Sequence, residues 1–201
     1  VAILAFCATA MLSGIARGER YLTLFCFDSY GLFTTTVEAK VTPTGNGAGL
    51  TGNFEAEVPE NTRTVHFLAN QNMSEFKEDK FRNKSEAEVM ALLEGSSGRM
   101  IYWARFTCDS DNDSKIDAQM ADKGNTIKMI RNHAQVSIDN PINGWIEVTG
   151  FVAYNTNAFG TVAPYHPEKG FDFEWPGEDD PFVTLPQNDA RMSDITDVTT
   201  A

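Results

Sequence analysis

The sequence predicts a mainly β protein, a Greek-key β-sandwich carrying one short helix. Short runs rich in Val, Ile, Thr, Phe and Tyr recur along the chain, and such residues suit a pleated, half-buried surface. Turn-forming stretches separate them, among them TPTGNGAGLTGN, DSDNDSK and DNPING. Only residues 84–94, KSEAEVMALLE, carry a clear helical period. Many short strands joined by polar turns, with one helix, favour a sandwich.

The elements follow in chain order. The first twelve residues, VAILAFCATAML, form the strongest apolar run; it is too short to span a bilayer and reads as a buried strand over 2–11. No Met-Lys or Met-Arg start precedes it, so it is not read as a complete signal peptide. Further strands are predicted over 21–28, 31–40, 52–57, 64–69, 99–107, 126–130, 135–139 and 145–155. In the helix Ser85 is the cap, Glu88 stands three residues later, and Val89, Leu92 and Leu93 share a face before Gly95 stops it. From Tyr165 onward prolines and acids dominate and periodicity fades, as in a linker opening an incomplete second domain.

Composition narrows the function classes. Among 201 residues, 42% are hydrophobic and 11% aromatic, which fits a folded chain. The 28 acidic residues outnumber the 16 basic ones, for a formal charge of -12, and basic clusters are missing. Such a surface repels phosphate backbones, so nucleic acid is not an expected partner. Cys7, Cys26 and Cys108 are too few and too irregular for a disulfide framework or a zinc site, and Cys26 reads as a small buried hydrophobe. Cys7, in Leu-Ala-Phe-Cys, is similar to a lipoprotein acylation site, but Phe6 stands where a small residue is usual.

Candidate chemistry is sparse, and no catalytic residue or cofactor is expected. His66, His133 and His166 are scattered, and no nucleophile elbow, zinc-protease helix or phosphate-binding glycine loop occurs. The one motif with chemical content runs from Asp109 to Asp117. Asp109, Asp111, Asp113 and Asp117 fall at positions one, three, five and nine of a calcium loop, with Ile116 at the eighth. Ser114 occupies the sixth position, where Gly is wanted, and Met120 the twelfth, where a bidentate Glu belongs. A solvated acidic turn is the plainer reading, with calcium the alternative. Phe171, Phe173 and Trp175 suit either docking on a neighbouring domain or stacking against a sugar ring.

Three stretches together resemble the Bacteroidales-type major fimbrial subunit (fimbrillin) family. They are GERYLTLFCFDSYGLF (18–33), NTRTVHFLANQN (61–72), and IKMIRNHAQVSIDN followed by WIEVTGFVAYNTNAFGTVAP (127–164). The resemblance implies a transthyretin-like β-sandwich over 18–164, with 165–201 as linker and start of a C-terminal domain. It implies no enzyme but an exported lipoprotein precursor that reaches the cell surface and forms fimbriae on the outer membrane.

It also assigns a role to residues 1–17, a removable N-terminal strand and cleavage loop. In the family an early strand is cut away after an arginine, and a neighbouring subunit's strand fills the vacated groove. Carried onto this chain, Ile3, Leu4 and Phe6 mark the removable strand, and Arg17, with Arg20 second, marks the cut within SGIARGER. The implied partners are other fimbrial subunits in a head-to-tail polymer, an Arg-specific protease, and a host surface protein or glycan. The alternative from another class is a cell-surface glycan- or calcium-binding module.

Overall fold

The computed structural model describes residues 2–9, 21–44, 51–71, 77–96, 101–110, 112–131, 159–163, 165, 170 and 171. Ten strands lie among them: β1 (Ala2–Thr9), β2 (Tyr21–Phe27), β3 (Phe33–Thr44), β4 (Thr51–Val58), β5 (Thr64–Ala69), β6 (Glu94–Ser96), β7 (Tyr102–Thr107), β8 (Thr126–Lys128), β9 (Ile130–Arg131) and β10 (Phe159–Thr161). Two helices join them, α1 (Glu86–Ala91) and α2 (Ile116–Asp122), with a 3-10 turn at Glu78–Lys80. The chain is mainly β, as its composition predicts. The strands expected at 135–139 and 145–155 lie outside the described residues.

Eight strands form one sheet in the order β8-β1-β4-β3-β2-β5-β7-β9, and β10 pairs with β6 separately. All neighbours in the large sheet are antiparallel except β1 and β8. The sheet curls at two corners. Strand β3 pairs with β2 from Phe33 to Lys40 and then with β4 from Val41 to Thr44, so one long strand turns from one arm of the sheet into the other. Opposite it, the chain leaves β8, passes Met129 and enters β9, joining the two ends of the strand order through a single residue.

Burial follows the curl. Inside it, Leu22, Leu24 and Cys26 of β2, Val65 and Phe67 of β5, and Tyr102 and Ala104 of β7 meet Phe54, Ala56 and Val58 of β4. Phe54 and Phe67 stack edge to face across the interior with centroids 6.0 Å apart. A second cluster covers the outer face of β2, β5 and β7, where Phe25, Phe27, Leu68 and Trp103 meet Val89, Met90 and Leu93, together with Val162, Ala163 and Phe171. Because it is covered on both faces, β5 is buried at all six positions. In β4, by contrast, Phe54, Ala56 and Val58 are buried while Asn53, Glu55 and Glu57 face solvent, the alternation of a one-sided strand.

Local chemistry explains the ends of the elements. Ser85 and Glu88 form the predicted capping box: Ser85 N donates to the Glu88 carboxylate at 2.9 Å and Glu88 N donates to Ser85 Oγ at 3.4 Å. Helix α2 was not expected, because the aspartates before it read as a continuing loop. Its apolar face is nonetheless present, with Ile116 and Met120 buried. Gly124, at φ 84°, and Asn125, at φ 50°, end it by donating to Ala121 O and Met120 O.

The slot filled by the first strand

Strand β1 sits inside the large sheet rather than at its edge. It pairs with β4 over its whole length, from Ala2 opposite Val58 to Thr9 opposite Thr51. On its other side Cys7, Ala8 and Thr9 run parallel to Thr126, Ile127 and Lys128. Although β2 follows β1 in sequence, the two strands are not neighbours in the sheet; β4 and β3 lie between them. Every described ladder that holds β1 is therefore with a segment at least 40 residues away along the chain.

Register distinguishes the residues expected to matter here. Ala2, Leu4, Phe6 and Ala8 pair with Val58, Ala56, Phe54 and Gly52, the buried positions of β4. Ile3 pairs with Glu57, which faces solvent. Since a strand alternates faces at every residue, Leu4 and Phe6 belong to one face and Ile3 to the other. Arg17 and Arg20 lie outside the described residues. At Gly52 the neighbouring strand comes very close: an added Cβ would stand 2.5 Å from Val41 Cγ1 and 3.2 Å from Thr42 O.

The other sequence candidates are placed as follows. Two carbonyls of the Asp109–Asp117 segment, those of Asn112 and Ser114, are engaged by side chains. Gln119 Nε2 donates to Asn112 O at 3.1 Å and to Ser114 O at 3.0 Å, and its Oε1 accepts from Asp109 N at 2.7 Å. Arg63 Nη1 donates to Ser114 O at 2.9 Å, so a cation approaching that oxygen would meet a guanidinium charge. Asp109 pairs with Lys123 at 3.5 Å, Asp117 Oδ1 accepts from Ala118 N, and Asp111 lies outside the described residues. Among the described residues, no three His, Cys, Asp or Glu side chains come together to hold a metal ion. Burial pushes the Cys26 thiol up to about 12 and raises Cys108 as well, which favours the protonated thiol over the thiolate at both. Phe171 is buried on the outer cluster of this same body, its ring 4.8 Å from that of His66. Phe173 and Trp175 lie outside the described residues.

No family model, curated protein or solved structure matches the chain.

Sequence reasoning reads His66 as a sheet-face or satisfied strand histidine, and the structure supplies the partners that the sequence does not name. His66 is fully buried under α1. Trp103 Nε1 donates to its Nδ1 at 3.0 Å, which leaves the ring proton on Nε2, where it is donated to Glu86 Oε2 at 2.9 Å. Arg105 adds bonds to both Glu86 oxygens, at 2.8 and 3.3 Å. Burial alone would raise the Glu86 carboxyl, but the hydrogen bonds from His66 and Arg105 and the Arg105 charge outweigh it and bring it down to about 2. For His66 burial dominates and lowers the pKa, so the ring is neutral at pH 7 and the charge opposite Glu86 is that of Arg105. The signal was latent in the spacing: His66, Trp103 and Arg105 are directly or diagonally paired on adjacent strands, and Glu86 opens the one predicted helix.

Proposed function

We propose that the chain is a structural subunit of a bacterial surface fimbria, polymerising by protease-triggered strand exchange and supporting adhesion outside the outer membrane. The observation that carries this reading is the position of β1, an interior strand that precedes all the others and is held by ladders to β4 and β8. Its loss would strip partners from both strands and open the face lined by Phe54, Ala56 and Val58. Unpaired backbone groups and bared apolar surface are both costly in water, the latter at about 25 cal/mol per Å². A strand from another subunit, antiparallel to β4 and parallel to β8, relieves both costs. Donor and acceptor are different surfaces, so such contacts extend head to tail without closing.

The curl supports the finer fold reading, a Greek-key, transthyretin-like sandwich. One layer is β3-β2-β5-β7-β9 and the other is β4-β1-β8, with β3 and residues 126–131 turning the corners.

Limited digestion with an Arg-specific protease, read by intact mass and native sizing, tests the proposal. The expected result is cutting at Arg17 or Arg20, a folded core, release of the first strand, and association that a peptide of residues 1–17 suppresses. Resistance at both arginines, or cutting without any change in association, refutes it.

A further inference from the structure

We propose that His66 is an acid-responsive latch, holding helix α1 and Phe171 against the outer face of the sheet at neutral pH and releasing them as the pH falls. The geometry that points to this is the use of both ring nitrogens. Nδ1 accepts from Trp103 Nε1, an indole N–H that can only donate, and Nε2 donates to Glu86. A protonated ring carries N–H at both positions. Its new Nδ1–H would face the Trp103 N–H, donor against donor, with that hydrogen bond lost. The ring has no route to solvent around which to rearrange, since it is fully buried with the edges of Phe27 and Phe171 against it, at centroid distances of 5.4 and 4.8 Å.

Among the described residues, the charged groups that meet this ring come from two elements. From α1, Glu86 favours a charged ring; from β7, Arg105 opposes it and already satisfies Glu86 at both oxygens. Facing the ring from β2 and from the other side are the edges of Phe27 and Phe171. Burial therefore decides the balance, in favour of the neutral ring. A histidine whose proton affinity is lower in the folded than in the open state contributes stability that is complete above about pH 6.5 and is lost as the pH falls below it. The carboxyl of Glu86, held down to about 2, adds a second loss that begins only below its ordinary value of 4.5. Between pH 7.5 and 5 the response belongs to His66.

Release acts on a defined unit. The Glu86 carboxylate is the side-chain tie of α1 to β5 and β7, beside the backbone bond from Phe33 N to Lys84 O at the start of the helix, and Val89, Met90 and Leu93 are its apolar contact. Phe171 packs on His66, Trp103 and Tyr165 and lies 5.8 Å beneath the Arg105 guanidinium. Opening uncovers Phe25, Phe27, Leu68 and Trp103 while leaving the inner cluster and the β1 ladder in place.

Hydrogen exchange with mass spectrometry, corrected for the intrinsic pH dependence of exchange, reads the opening of residues 86–93 and of 170 and 171. With one proton taken up, the opening constant rises about tenfold per pH unit below about 6.5, while β5 stays protected. His66→Gln separates the proton from the packing, because its amide can still accept from Trp103 and donate to Glu86 yet binds no proton. That variant should show the same protection at pH 7.5 and at pH 5. Should it fail to fold, NMR of the three ring-labelled histidines in the unaltered chain decides. His66 should stay in the neutral, Nε2-protonated form until the helix opens. A His66 that titrates near 6.5 while residues 86–93 remain protected overturns the proposal. So does a His66→Gln chain with unchanged acid sensitivity.

Discussion

Replacing Phe54 by Ala probes the contact between β4 and the strand that fills the slot. Phe54 is 4% exposed, stacks on Phe67 at 6.0 Å, and is the register partner of Phe6. Truncating a buried Phe costs about 3–5 kcal/mol, a figure that includes the roughly 0.5–1.5 kcal/mol of the aromatic pair. Against a domain stability of about 5–15 kcal/mol this leaves a folded but weakened chain. Urea unfolding measures the loss, and Glu55→Ala, on the solvent side of the same strand, should stay within about 0.5 kcal/mol. The sharper reading is a double-mutant cycle. Phe6→Ala with Phe54→Ala should show a coupling of about 0.5–3 kcal/mol, whereas Ile3→Ala with Phe54→Ala should be additive within about 0.5 kcal/mol. Coupling at Ile3 and additivity at Phe6 would mean that β1 is shifted by one residue, which exchanges its two faces and refutes the slot as drawn.

Two further substitutions test how neighbouring parts are held. Gly52→Ala drives a methyl group against Val41 and Thr42 O, and should cost about 1–3 kcal/mol by thermal or urea unfolding; an unchanged midpoint would show that β3 and β4 are farther apart at that point. Gln119→Leu removes the amide that ties Asp109 N, Asn112 O and Ser114 O together, and should cost about 1–3 kcal/mol. Tighter calcium binding in that variant, seen calorimetrically, would restore the acidic segment as a cation loop.

The strands were legible where one face is wet. NFEAEV announces β4 by strict alternation, and the capping box of α1 is written into Ser85 and Glu88. TVHFLA was legible as a strand, but not the reason for its uniform burial, which is the second layer brought over it by Val89, Met90, Leu93, Val162, Ala163 and Phe171. Helix α2 was hidden because its cap residue, Lys115, makes no side-chain capping bond and its approach is rich in Asp and Ser. Its anchor is the buried Gln119 amide, bonded back to Asp109, Asn112 and Ser114 of the preceding loop, which no periodic pattern reveals. The same holds for the latch. A histidine in a strand carries no mark of its partners until β7 pairs with β5 and sets Arg105 opposite His66. The β1 residues were legible as an apolar run, but their faces were not, because the parity that separates Leu4 and Phe6 from Ile3 comes from the partner strand.

Topology, more than composition, singles out β1 as the exchangeable element under the proposed function. Removing β5 would break ladders to β2 and β7 and empty both clusters at once, since its residues face both. Removing β3 would sever the corner that links the two arms. Strand β1 differs in that a single break between Thr9 and Tyr21 separates it from all the other described strands. The ladders from β4 through β3, β2, β5 and β7 to β9 do not pass through it. The described residues of the outer cluster include those of β2, β5, β7 and α1, which His66 and Glu86 clasp together. A body that keeps five ladders and one whole core layer can stay folded with its slot open, long enough for another strand to enter. That persistence is what strand exchange demands of an acceptor, and in this chain it rests on the layer farthest from the slot.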